Sequence, residues 1–334
     1  MAVLDALNNF LTHHWLVVSF AAPALWALVN IIDVYFVKGV YRDELDGTII
    51  SGLFQMVPWL VLGFFFRADT AGAFFAGGVW PWFAPEAWLG FAGGLFFTAA
   101  FYFYFKALFS HSDAALLQIM WSLTIVVVPA LSFFLWGETL PIIKYAGMGI
   151  VLVGAVTFTL SKTLQLRASG RYVDIMMCAV FLLSLGMVCE DRAYTLLADK
   201  GLGGQAFLAG FLLFSLGAFA GGILFALFFR RNPWPLLKKY AAVFVVIEGV
   251  SFLGTLASQR AISLSPSVSF VAAVETMVPA FIALYSVLIM LFAVRLFGKS
   301  ARALPQMYHE QLAGWPVKLC ATLAMAAGVY IISS

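Results

Sequence analysis

Glu248 sits in the middle of a long apolar run, and Ser251, Thr255 and Ser258 follow at spacings of three, four and three. That rhythm gathers all four side chains on one face of an α-helix. A second acid, Glu275, occupies the next apolar run and shares a face with Pro279 and Ser286. A charge at bilayer depth costs about 2.5 to 3.5 kcal/mol on insertion scales, so an acid placed there needs a cavity, a partner or an interfacial position. Ionising a carboxyl in apolar surroundings is unfavourable, which lets such a group hold a proton and exchange it for a cationic solute. The plainer alternative is a carboxyl permanently paired with Arg260 or hydrogen-bonded to its neighbours.

Other polar residues fall into similar stripes. Pro23, Trp26, Asn30, Asp33 and Val37 share one helix face, with Asp33 near the end of its run, where a solvated interfacial acid is the economical reading. Trp26 and Asn30 lie deeper, suited either to a cavity or to helix packing. Gln118, Trp121, Ser122, Ile125 and Pro129 share a broad face, as do Ser51, Gln55 and Pro58. Pro129 and Pro279 each remove a helix hydrogen bond and permit the bending that a gate requires, although prolines also occur in static membrane helices. Glu190, Asp191 and Arg192 are consecutive, and neighbours differ by about 100° around a helix, so they cannot all face one cavity. The economical placement is at the membrane edge with Arg192 neutralising one acid; the sharper one sets an acid with Tyr194 at a cavity mouth. Phe, Tyr and Trp make up 16% of the chain, and the run Phe96, Phe97, Phe101, Tyr102, Phe103, Tyr104 and Phe105 crowds one segment. Packing is the default for each ring. An inward aromatic wall beside carboxylates would suit an organic cation or an aromatic or amphipathic metabolite.

The elements that must position these groups follow from composition. Of 334 residues, 63% are hydrophobic and 10% charged, and the mean hydropathy is +0.99. So few charges cannot coat a water-facing fold of this size, which makes lipid the coat. Apolar runs and their breaks predict ten spans, near 15–37, 48–66, 86–108, 112–136, 140–160, 172–197, 204–229, 240–262, 266–293 and 312–332. The stretch 71–85, broken by Gly77, Gly78, Pro81 and Pro85, reads as an interfacial loop with Trp80 and Trp82 at headgroup depth. The fifth and tenth spans carry almost no polar side chains and suit scaffolding, while Gly217 and Gly221 in the seventh permit close helix approach. A net charge of +3 gives no argument for nucleic acid. Cys178, Cys189 and Cys320 have no redox or metal spacing, His13 and His14 are adjacent, and His111 and His309 are isolated. No phosphate loop or nucleophile motif occurs, so the chain is read as a non-enzyme with neither cofactor nor metal.

A duplication is visible. Lys106-Ala107-Leu108 closes the third span and Arg260-Ala261-Ile262 the eighth, each followed by a Ser-containing turn and a long helix with a proline. At the same offset Trp121 falls opposite Glu275, and Lys38-Gly39 and Lys200-Gly201 recur after the first and sixth spans. Two five-helix halves, 1–163 and 164–334, must insert in opposite orientations because each holds an odd number of spans. The expected fold is therefore all-α and integral to the membrane, an inverted repeat suited to alternating access.

At Glu138-Thr139-Leu140, followed by Tyr145-Ala146-Gly147-Met148-Gly149-Ile150-Val151-Leu152-Val153-Gly154, and in the preceding Ala107 through Ser112-Asp113-Ala114-Ala115, the sequence resembles the drug/metabolite transporter superfamily, in particular its ten-helix EamA-type members. The second half departs from the pattern, with Val294-Arg295-Leu296 where a glutamate is expected. The resemblance implies a secondary carrier of small metabolites and leaves the cargo open. Joined to the stripes above, it gives a central cavity served by Glu248, Glu275, Asn30, Asp33, Trp26, Trp121, Gln118, Ser251, Thr255, Tyr102 and Arg260, with Pro129 and Pro279 as gates. The expected partners are a small-molecule substrate, protons and membrane lipids, in a monomer or homodimer of a bacterial inner membrane. The rival function is a lipid flippase or scramblase with a laterally open groove.

Lys and Arg concentrate on one side, with about fourteen in the odd-numbered connections against about five opposite, which puts both termini outside the cytosol. The resemblance implies the reverse. A reporter fused after Ser334 is expected to work on the non-cytosolic side, and activity confined to the cytosol overturns the count.

Overall fold

The computed structural model describes residues 15–62, 84–110, 114–160, 170–202, 205–297 and 314–334. Among them there is no strand, and the helices are α1 (Trp15–Gly39), α2 (Glu44–Phe54), α3 (Val57–Leu62), α4 (Pro85–Ser110), α5 (Ala114–Ser122), α6 (Thr124–Trp136), α7 (Ile142–Leu160), α8 (Gly170–Leu197), α9 (Gln205–Phe228), α10 (Trp234–Leu264), α11 (Val268–Glu275), α12 (Val278–Phe297) and α13 (Trp315–Ser333). Nine stretches of the described residues are long and apolar enough to cross a membrane, so the chain is an all-α, multi-pass integral membrane protein. The predicted second span falls on α2 and α3. Residues 71–83 of the predicted interfacial loop, with Trp80 and Trp82, lie outside the described residues, as do all four histidines.

Three predicted spans are each divided in two, and proline explains two of the breaks. Pro58 and Pro279 have no N–H to give to the carbonyls of Phe54 and Glu275, four residues back. The chain tightens there: Gln55 N–H bonds Gly52 O at 3.1 Å, Met56 N–H bonds Leu53 O at 3.2 Å, and Met277 N–H bonds Val274 O at 3.0 Å. Both breaks precede the same tripeptide, Met56-Val57-Pro58 and Met277-Val278-Pro279. The third, at Leu123 between α5 and α6, lies six residues before Pro129, which sits inside an unbroken α6. There the Thr124 hydroxyl donates to the Trp121 carbonyl at 3.0 Å, beside 3₁₀-type bonds Leu123 N–H to Met120 O and Val126 N–H to Leu123 O. Pro129 is thus not the origin of the discontinuity in its span.

The helix pairs are α4 with α8, α4 with α9, α1 with α10, α2 with α9 and α7 with α13. Lipid tails are as apolar as leucine, so these pairs gain from close van der Waals approach rather than from leaving water. Gly94 and Gly217 make that approach possible between α4 and α9: a methyl group on Gly94 would collide with the Phe214 carbonyl, and one on Gly217 with the Phe91 carbonyl. Between α7 and α13, Lys144 donates to the carbonyls of Ile331 and Ile332 at 3.2 and 2.9 Å, satisfying acceptors that the last turn of α13 cannot pair itself. Phe134 at 80% and Phe228 at 84% exposure stand on the outer surface, which lipid alone can cover at bilayer depth. Two ion pairs join elements at helix ends, Lys200 to Glu86 at the start of α4 and Arg231 to Asp43, whose other carboxylate oxygen caps α2.

Gly94→Ala is expected to destabilise the protein by about 1–3 kcal/mol through overpacking. Gly149→Ala, where nothing lies within 4 Å of the added methyl, is expected to be neutral or slightly stabilising. Thermal unfolding of both variants in detergent checks this, and equal midpoints refute the tight α4–α9 crossing.

Candidate functional site

Inside the bundle lies a cavity of about 60 Å³, lined from α1, α4, α5, α8, α10, α11 and α12. Three carboxyls border it: Asp33, Glu190 and Glu275. Asp33 and Glu190 are 5% and 3% exposed, while Glu275 is more open. Among the described residues that line it, none is positively charged.

Each acid is held by neutral groups from a neighbouring helix. Tyr104 of α4 places its hydroxyl 2.9 Å from Asn30 Oδ1 and 3.1 Å from Asp33 Oδ2; it has one proton and can donate to one of them at a time. On α10, Ser258 donates to Glu275 Oε1 at 2.5 Å. Its neighbour Gln259 donates through Nε2 to Glu190 Oε2 and accepts from the Tyr194 hydroxyl at 2.7 Å. The Glu190 side chain lies across Gly93 of α4, where a Cβ would stand 2.7 Å from its Cγ, so the absence of a side chain at 93 leaves the acid its space. Glu248 is buried beside this cavity. It accepts from Ser51 Oγ at 3.0 Å through Oε1, and its Oε2 has no hydrogen-bond partner among the described residues. An unpartnered buried acceptor is rare enough to call for an explanation.

The acids form two groups. Asp33 and Glu248 are close enough for their charges to act on one another, and so are Glu190 and Glu275. Aromatic rings stand between the groups: Trp26, Phe97 and Phe101 line the cavity, with Trp26 6.4 and 6.2 Å from the two phenylalanine rings. Trp121 packs edge-on against Tyr104 at 5.5 Å. The arrangement offers acceptors and π-faces, which together bind cations.

The structure brings Trp26, Asn30, Asp33, Trp121, Thr255 and Glu275 to the cavity wall, and Ser251 lies buried on α10 between Glu248 and Thr255. Several expectations are corrected. Asp33 is buried rather than solvated at the interface. Tyr102 turns to α9, stacked 5.2 Å from Phe225, with its hydroxyl 3.4 Å from Lys106 Nζ, and does not line the cavity. Arg260 neutralises neither acid; its guanidinium lies 4.9 Å over the Phe207 ring. Glu190 is a cavity acid, not a membrane-edge one; Arg192 lies over the Trp136 ring, with its charge acting on Asp191. Pro129 faces an apolar groove between α6 and α7, and Pro279 lies just beyond the lining residue Val278. The side chain of Gln118 is outside the described residues. Tyr104 and Gln259, which hold two of the acids, carried no role in the sequence reading; their signal was position, two residues from Tyr102 and one from Ser258.

No family model and no curated protein matches this sequence. A solved structure described as "Crystal structure of protein" aligns with 94% of this chain and 94% of its own, at a TM-score of 0.59 and 19% identity, a likeness of fold alone.

If water reaches the void, Thr255→Cys, in a background lacking the three native cysteines, is expected to react with a positively charged, water-soluble methanethiosulfonate reagent. Val151→Cys, at a position fully buried in α7, is expected not to react. Failure of the first to label refutes a water-accessible cavity.

Proposed function

We propose that this protein is a secondary transporter of EamA type, with ten membrane helices in two inverted halves, 1–163 and 164–334, in a bacterial inner membrane. It carries a small organic solute, cationic, aromatic or amphipathic, by alternating access through the central cavity, in exchange for protons. The observation that carries this reading is a cavity bordered by three acids and several rings, with contributions from both halves and no lining cation. Such a site favours a cation and disfavours an anion, whatever the side from which the solute arrives.

The pairing of helices supports the inverted repeat. Exchanging the halves converts the pair α4–α8 into α10–α1, while α7–α13 and α2–α9 each pair a helix with its own counterpart. The chemistry follows the same exchange: an acid on α1 meets its partner on α4, and an acid on α8 meets its partner on α10. One departure fits an alternating cycle. Glycine-mediated packing joins α4 to α9, whereas the counterpart pair, α10 and α2, meets at little more than the Ser51–Glu248 hydrogen bond. A carrier caught in one of its two states has one tight and one loose side.

Proton exchange rests on Glu248 and Glu275, neither of which is ion-paired among the described residues. Glu248 is faced by Ser51, Asp33 and Tyr41, and Glu275 by Ser258 and Glu190. A second reading, a lipid flippase or scramblase, draws on the apolar groove lined by Val126, Phe133, Phe134, Met148 and Leu152. That groove suits acyl chains, but it offers a headgroup little beyond the Tyr145 hydroxyl.

In proteoliposomes, Glu248→Gln and Glu275→Gln are each expected to lower proton-driven flux of an organic cation about tenfold or more while leaving expression intact. Unchanged flux in both variants refutes the coupling role, and lipid movement without any solute gradient favours the rival.

A further inference from the structure

Two helices measure the distance between the acid groups independently. On α4, Gly93 touches Glu190 and Tyr104 touches Asp33, eleven residues apart. On α10, Gln259 holds Glu190 while Glu248 neighbours Asp33, again eleven residues apart. At the rise of an α-helix both intervals correspond to about 16 Å, so the acids stand at opposite ends of the void rather than in one cluster. Side chains reach inward from both ends and shorten the gap between carboxylates. The space between is lined mainly by rings and apolar side chains, Trp26, Phe97 and Phe101 among them, with Thr255 and Asn30 as neutral polar groups.

We infer that the cargo is an elongated dication, a linear alkane diamine or polyamine, lying along the cavity with one ammonium at Asp33 and the other at Glu190 and Glu275, its methylenes against the rings. The assignment rests on the carrier reading and narrows its cargo. A compact monocation meets one acid group and leaves the other uncompensated in a low-dielectric interior, which is costly. A second ammonium at the right distance removes that cost at both ends. It also accounts for the site's surplus of acid: at the Asp33 end alone, Glu248 keeps a buried carboxylate oxygen with no donor among the described residues. The ring faces favour a chain with a charge at each end over a bulky rigid cation, because they contact methylenes while the ammoniums reach past them.

The test compares decanediamine with decylamine, which has the same carbon chain and a single charge, by calorimetric titration of the detergent-purified full chain. The diamine is expected to bind at least about tenfold more tightly, as one further charged hydrogen-bonded contact provides. Asp33→Asn, and Glu190→Gln combined with Glu275→Gln, are each expected to abolish that advantage while retaining decylamine binding, which also shows that the variants are folded. Ethylenediamine, too short to span the gap, is expected to gain nothing over ethylamine. Equal affinity of decanediamine and decylamine for the unaltered protein overturns the dication assignment, and so does a diamine advantage that survives in both variants. If decylamine is nevertheless carried into proteoliposomes, the transporter reading stands while the dication falls. If neither amine binds nor moves, the cationic cargo falls with it.

Discussion

Carboxyl groups within the bilayer must be solvated by something other than lipid, and much of this structure follows from how four of them are accommodated. Asp33, Glu190 and Glu248 are almost fully buried, and Glu275 opens to the cavity. Among the described residues none takes its compensation from lysine or arginine; the ion pairs that they form lie at helix ends. Compensation comes instead from neutral donors, Tyr104, Ser258, Gln259 and Ser51, and from the void itself. Neutral donors soften the cost of a buried negative charge without cancelling it, so the site keeps a net preference for positive charge. A lysine in the same place would have satisfied the acids permanently and left nothing for a ligand to do.

That requirement reaches into the packing. To present Tyr104 to Asp33 and leave space for Glu190, α4 must run close to both α8 and α9. It does so through small residues: Gly93 and Gly186 between α4 and α8, Gly94 and Gly217 between α4 and α9. Gly217, a packing position on sequence alone, thus joins Gly93, Gly94 and Gly186 in setting how far the cavity groups stand from one another. On the far side, α7 and α13 pair without contributing to the cavity, which makes them scaffold.

Much of this was legible in the sequence where composition and period carry it. Membrane class, the positions of the spans and the polar stripe from Glu248 to Ser258 follow from apolar runs and 3.6-residue spacing, and Asp33, Asn30 and Trp26 fell on one face for the same reason. The misplaced residues share a cause. A helix apolar nearly all round has no moment to say which side faces inward, so Tyr102 and Tyr104, two residues and about 200° apart, were indistinguishable in a run of rings. Glu190 was hidden by its neighbours, since three consecutive charges suggest an interface. Its environment depends on Gly93 and Gln259, more than 65 residues away in either direction, and no local pattern encodes that. A bend at 276–277 is legible from Pro279; Pro58, which reads from the sequence only as part of a helix face, explains the break at 55–56, and Pro129 points away from Leu123, where a threonine hydroxyl competes for a backbone carbonyl.

The position of the break at 276–277 matters most for mechanism. Glu275 is the last residue of α11, and Pro279 leaves its carbonyl without the N–H that would continue the helix. The acid that lines the cavity therefore sits at the joint where α11 and α12 are held by fewest backbone hydrogen bonds. Bending is cheapest at such a joint. Its side chain is tied to α10 through Ser258, while α12 packs on α1, the helix that carries Asp33. Whatever neutralises Glu275 consequently acts at a helix break that lies between the two acid groups. The proposed carrier cycle needs binding groups close to a point where the chain can bend, and Glu275 beside Pro279 meets that requirement.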